Sequence, residues 1–369
     1  MRVLIAPQEF KGSLGAEEAA NSIAAGIRRA RRGWRLDVLP LSDGGPGFID
    51  AVRRAVPSDS YGLAVHDAMG RLVLGRWVVV RGSGDAVIEA AQANGLMHIE
   101  PEARDALAAD SAGVGEILAA ATESKPPRLI IGVGGSATTD GGAGMARALG
   151  ARLLDAEGRE LGPGGGPLRG LARIEWTRPP AFEGVEVVVA TDVTNPLVGP
   201  NGAAAVYAPQ KGATPEQVEV LEAGLRRFAG VVREGLGVAV AETAGAGAAG
   251  GLAAGLVAFL GARIVSGFDV VAEATGLGRR LAEADVVITG EGSFDSQSLQ
   301  GKTTGRLLAL AREAGKRCVV FAGRAEVRVG EVHTLAEVEP DTAVCLARAR
   351  PLLEELAARW ATGWSDGAL

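Results

Sequence analysis

The chain has 369 residues, 47% apolar and 22% charged, the balance of a globular protein with room for two or three domains. Its net charge of −6 argues against nucleic acid or an anionic membrane surface as the main partner, so an anionic substrate would need locally placed Lys, Arg, helix ends or metal. Two cysteines exclude a disulfide framework, and three scattered histidines disfavour a zinc centre or a Ser-His-Asp triad.

The opening MRVLIAPQEF lacks the long apolar stretch and cleavage site of a signal peptide and reads as a first strand, which predicts a cytoplasmic protein. A strand at Arg2–Ala6, a helix at Ala16–Arg32 and a strand at Arg35–Leu41 make a β-α-β start with a parallel pair. Ile23 and Ile27 lie four apart on one helix face, with Glu17 and Glu18 in the first turn and arginines in the last, as the macrodipole favours. An alternating run, Leu72–Val80, predicts an antiparallel strand, followed by a helix near Ala112–Ala121 and buried strands at Leu129–Val133 and Val185–Thr191. Thr214-Pro215-Glu216-Gln217 is a capping box with Pro at the first helical position, so a helix runs toward Val232. Ala284–Thr289 and Arg317–Ala322 read as strands, and Thr303–Ala314 and Pro351–Trp360 as helices. The class is α/β, with a mixed sheet in the middle of the chain.

Thr243–Ala262 is uncharged and long enough to cross a bilayer, with Gly247, Gly251 and Gly255 at small-xxx-small spacing. Its Ala/Gly composition favours a glycine-rich loop followed by a buried helix, and no membrane partner is expected.

The 54 glycines exceed what ordinary turns need. Many gather with Asp, Ser or Thr just past strand ends, where open α/β sheets bind ligands. Such loops are Lys11–Leu14, Ser42–Gly45, Gly132–Gly142, Thr191–Pro196, Gly290–Asp295 and Gly301-Lys302. In Gly132–Gly142, Gly134 and Gly135 let backbone N–H groups turn toward an anion, and Ser136 and Thr138 add hydroxyls, which suits phosphate. Gly132-x-Gly134-x-x-Ala137 also fits a dinucleotide fingerprint, with Asp155 at a suitable distance, and supports an alternative reading as an NAD(P)-dependent oxidoreductase. Against it, Asp140, Gly141, Gly142 and Gly144 fall where the fingerprint's helix should run. Gly301-Lys302-Thr303 resembles the end of a P-loop, but Ser296 stands at its first glycine position.

Phosphoryl transfer needs a cation clamp, Mg²⁺ ligands and a group to orient the attacking hydroxyl. Asp43, Asp140, Asp192, Glu291 and Asp295 are the candidate carboxylates, and Lys11, Lys211 and Lys302 the candidate cations.

At these residues the sequence resembles the glycerate kinase family, of the bacterial glycerate 2-kinase type. The matching segments are APQEFKGSL at 6–14, DGGPG at 43–47, GVGGSATTDGGAGM at 132–145, TDVTNPLVGPNGAA at 191–204, YAPQKGA at 207–213, AGAGAAGG at 244–251 and ITGEGSFDSQSLQGKT at 288–303. They occur in the family's order from the first strand to about residue 305, while the tail is less diagnostic. Three of these segments depart from the family pattern. Gln8-Glu9 replaces Asp-Ser, Pro46 and Phe48 replace Glu and Thr, and Thr139 stands where Asn is frequent. Gln8 and Pro46 each remove a carboxylate and Glu9 supplies one in a shifted position.

The resemblance implies two α/β domains with a cleft between them. One is discontinuous and restriction-endonuclease-like, at 1–64 and 281–369. The other is inserted and flavodoxin-like, at 65–280. It also implies transfer of the γ-phosphoryl of ATP, with Mg²⁺, to D-glycerate, giving 2-phosphoglycerate. On that reading Gly134, Gly135, Ser136 and Thr138 cradle phosphate, and Lys11 and Lys302 neutralise phosphate or carboxylate charge. Asp192 or Asp295 orients the glycerate hydroxyl, while the other, Asp43 or Glu291 holds Mg²⁺. A metabolite-binding regulator without catalysis is the third reading, motivated by Gln8 and Pro46. The sequence admits a homodimer without fixing an oligomeric state.

Overall fold

The computed structural model describes residues 1–296, 298–299 and 302–365. The chain divides into two compact units, one formed by Met1–Asp43, Asp50–Val56 and Phe268–Leu369, the other by Gly44–Ile49 and Pro57–Gly267.

The first unit is built on five parallel strands in the order Glu331–Thr334, Arg317–Ala325, Val286–Phe294, Arg2–Ile5, Arg35–Val38. The strands Arg2–Ile5 and Val286–Phe294 carry the apolar runs VLI and VVI at their cores, as strands covered on two faces should. Val3, Leu4, Ile5, Val286, Val287 and Ile288 are fully buried. The expected first helix forms at Ala16–Ala30 and lays Ile23 and Ile27 into the core, each burial contributing about 1.5–3 kcal/mol. It packs on the C-terminal helix Ala349–Thr362 so closely that a Cβ on Gly26 would stand 2.1 Å from the Glu354 carbonyl oxygen.

This strand order is 2-1-3-4-5 when the unit's own strands are counted, the order of flavodoxin-like sheets. The placement expected from the family resemblance is therefore corrected: the flavodoxin-type order belongs to the discontinuous unit. Apolar runs locate strands but carry no record of which neighbour each strand pairs with.

The second unit holds a mixed six-stranded sheet in the order Arg263–Val265, Glu186–Ala190, Arg128–Gly132, Ala86–Glu89, Leu72–Val80, Ser58–His66. The last two pair antiparallel, as the alternation of Leu72–Val80 predicts, and Ala86–Glu89 joins the parallel half. A two-stranded ribbon, Arg152–Leu154 with Arg173–Glu175, lies outside it. The predicted capping box is present: Thr214 Oγ1 accepts from Gln217 N at 3.3 Å and Gln217 Oε1 accepts from Thr214 N at 2.9 Å, starting the helix Pro215–Leu236.

The apolar segment Thr243–Ala262 becomes a short 3-10 turn, Ala248–Gly251, and a nine-residue helix, Leu252–Leu260, buried in this unit's core. No helix among the described residues is long and apolar enough to cross a membrane.

Candidate active site

In the first unit, the order in which the parallel strands are laid down reverses between Arg2–Ile5 and its neighbour Val286–Phe294. The next strand in the chain after Arg2–Ile5 lies on one side of it, and the later ones lie on the other. A crevice opens at the carboxyl ends of such a pair. A cavity of about 490 Å³ occupies this place, lined by Glu9, Lys11, Asp43, Glu291, Asp295 and Lys302 among others. Five of the residues expected to carry phosphoryl-transfer chemistry thus converge on one pocket.

Local backbone explains how. Phe10 N donates to Leu14 O at 2.8 Å and Leu14 N to Phe10 O at 3.0 Å, closing a tight loop with Gly12 at φ +77° and Lys11 exposed at its tip. Gly292 approaches this loop so nearly that a Cβ there would stand 2.9 Å from Lys11 N. Glu291, between two glycines, is 8% exposed, and its Oε1 has no hydrogen-bond partner among the described residues. Burial pushes its carboxyl up, partly offset by the Ser298 hydroxyl and the Lys302 ammonium. Asp295 Oδ1 accepts from Ser298 N at 3.2 Å, so one of its oxygens shapes the turn. Lys302 precedes the helix Thr303–Glu313 at its N-cap position. Gly301, grouped with it in the sequence, lies outside the described residues.

Glu9, the shifted carboxylate, is raised by burial and by nearby Asp43 and lowered by Lys11. The sequence singled it out as a departure, and the pocket shows that it faces the same space as Asp43 and Lys11. The pocket's other wall, from Leu335 to Leu346, follows the edge strand Glu331–Thr334 and carries no motif that sequence reading could have found.

In the second unit, Gly134, Gly135, Ser136 and Thr138 do sit in one loop after the strand Arg128–Gly132. Their glycine requirement has a partner within the protein. Gly134 N donates to Gly44 O at 3.0 Å, and a Cβ on Gly134 would stand 2.5 Å from Gly45 Cα. Gly135, at φ +74°, is exposed and backs onto Pro46.

Ser136 and Thr138 turn inward, 6% and 0% exposed. Lys211 lies beneath them, 3% exposed, its Nζ donating to Ser136 Oγ at 3.2 Å and to Thr138 O at 2.5 Å. Asn94 Nδ2 donates to Thr138 Oγ1 at 3.1 Å. Burial pulls the Lys211 ammonium down to about 7, with the Asp140 charge acting in the other direction.

Asp140 is fully buried and accepts from Ser111 N and Oγ, Gly142 N and Gly144 N. These bonds make it an organiser of the loop. The helix that follows is Ala143–Ala148, beginning beyond the span where a dinucleotide fingerprint would already be helical. Asp192 follows the strand Glu186–Ala190 and accepts from Ser266 Oγ at 2.7 Å. The structure thus places Asp192 in the second unit and Asp295 in the first.

Among the described residues, no three His, Cys, Asp or Glu side chains converge closely enough to cage a metal ion. Mg²⁺ needs no such cage, since it keeps several waters and takes one or two carboxylates alongside substrate phosphates. Glu291 Oε1, buried and without a partner among the described residues, is a ligand atom of the kind such an ion takes.

A family model described as the glycerate kinase family matches residues 3–365. The chain is 42% identical to a glycerate kinase of Halalkalibacterium halodurans, over 87% of this chain and 85% of that one. It is 41% identical to a glycerate 2-kinase of Escherichia coli K12, over 90% and 88%. A crystal structure of a Salmonella typhimurium LT2 protein assigned as glycerate kinase 2 superposes with a TM-score of 0.80 at 38% identity, covering 98% of this chain and 97% of that one. Neither the oxidoreductase reading nor the regulator reading finds support in these relatives. The chain belongs to the glycerate kinase family.

Proposed function

We propose that the protein transfers the γ-phosphoryl group of ATP to the 2-hydroxyl of D-glycerate, giving 2-phosphoglycerate and ADP. The observation that carries this reading is the first unit's pocket, where Lys11 and Lys302 meet Asp43, Glu291 and Asp295 at a sheet's switch point. A hydroxyl oxygen forms the new P–O bond, the bond to ADP breaks, and the hydroxyl proton leaves to a carboxylate.

In this reading Asp295, which lines the pocket, orients the hydroxyl, and Asp192 is the alternative from the second unit. Glu291 and Asp43 are the residues that would hold Mg²⁺, which when bound neutralises phosphate charge. Lys11 and Lys302 supply cations in a chain whose net charge repels an anionic substrate. Gly134, Gly135, Ser136 and Thr138 remain the proposed phosphate loop of the second unit, with the exposed Gly135 backbone as its accessible part and Lys211 as charge behind it. The reading keeps a two-domain division, with the second unit as the insert.

Coupled assay of ADP release tests it. Release that needs both D-glycerate and Mg²⁺ is expected. ADP release indifferent to glycerate would reject the acceptor.

A further inference from the structure

The phosphotransfer chemistry uses one end of the first unit's pocket. Lys11, Asp43, Glu291, Asp295 and Lys302 come from the carboxyl ends of the two central strands or from segments beside them. The opposite end is apolar. It is lined by Leu335, Ala336, Pro340, Thr342, Cys345 and Leu346, from the segment that follows the edge strand Glu331–Thr334. That strand lies two positions from Val286–Phe294 in the sheet, a separation of about 10 Å.

Part of this wall is left open to water. Leu346 is 53% exposed, on the short helix Thr342–Ala347, while its neighbour Cys345 is 7% exposed and packs into the core. A scattered exposed leucine needs no explanation, but one lining a concave pocket beside exposed Ala336 and Pro340 points to an apolar ligand face. The occupant must therefore be long, apolar at one end and anionic at the other. Glycerate has three carbons and is polar throughout, so it can fill neither the apolar end nor a cavity of about 490 Å³. A nucleoside triphosphate has the required length and the required asymmetry.

We propose that the segment Leu335–Leu346 is the nucleoside subsite, seating the base and ribose of ATP against its aliphatic wall, with the triphosphate directed toward Lys302 and Lys11. This rests on the phosphotransfer reading and adds to it where the nucleotide lies.

The test uses the full chain and two readouts. Photolabelling with 8-azido-ATP, followed by peptide mapping, is expected to mark peptides within residues 335–350. Marking confined to peptides of the second unit, such as those containing Gly135 or Lys211, would overturn the proposal. Leu346→Glu alters an exposed position and should keep the melting temperature of the wild type. Calorimetric titration with ADP should show affinity lowered at least about tenfold, with the KM for glycerate nearly unchanged. A raised KM for glycerate with unaltered ADP affinity would overturn the subsite and leave the kinase reading standing. A wild type that neither binds ADP nor forms it from ATP would remove both.

Discussion

Lys211→Met gives the sharpest test of the second unit's electrostatics. Lys211 is 3% exposed, and burial lowers its folded value from the ordinary 10.5 to about 7. Below pH 7 the side chain is charged in both folded and unfolded chains, so the cost of burying that charge is fully present. Between about 7 and 10.5 the unfolded chain carries the extra proton, and stability rises with pH by up to about 1.4 kcal/mol per unit. From pH 7 to pH 9 the wild type should gain about 2 kcal/mol relative to Lys211→Met, which has no such proton. Asp140, the charged neighbour that counteracts burial, is present in both proteins. Its carboxyl is raised by burial and by Asp110, so its own effect has the opposite sign, stability falling as pH rises toward the folded value. Methionine also leaves Ser136 Oγ and Thr138 O without the lysine's bonds, a cost of about 1–3 kcal/mol each that does not vary with pH. Urea titrations at several pH values measure the difference directly. A difference that stays flat from pH 7 to pH 9 would refute the reasoning, since Lys211 would then keep its ordinary protonation despite burial.

Asp295→Asn and Asp192→Asn should each lower kcat at least about a hundredfold, because a charge that orients the hydroxyl or holds metal acts in the transition state. An amide oxygen can still accept from Ser298 N and Ser266 Oγ, so melting temperatures should hold. Near-normal turnover in both variants would instead place the chemistry on Asp43 and Glu291. Gly134→Ala should cost about 3 kcal/mol in denaturant titrations, because its Cβ would enter the Gly45 backbone at 2.5 Å. Gly235→Ala, in a helix with open space around it, should be neutral or stabilising by about 0.5–1 kcal/mol.

Local signals in the sequence located elements well. The Ile23/Ile27 spacing, the Thr214–Gln217 box and the alternation of Leu72–Val80 each state a period or a cap that the backbone follows. Sheet order is a long-range property, so the flavodoxin-type arrangement could not be assigned to its unit. The pocket carboxylates and lysines were legible because each stands beside glycine or at the end of a strand. The roles of Gly134 and Thr138 were less so. Glycine marks close approach whether the approaching group is a phosphate or, as here, the Gly44–Pro46 backbone. A hydroxyl's sequence position likewise does not say whether it faces solvent or Lys211. The apolar wall at Leu335–Leu346 has no fixed spacing at all, and only the folded sheet edge brings it to the site.

The central claim is tested most directly by phosphorus NMR of the product formed from ATP, Mg²⁺ and D-glycerate. The resonance of 2-phosphoglycerate is expected, appearing in step with ADP. A signal from 3-phosphoglycerate alone would contradict it.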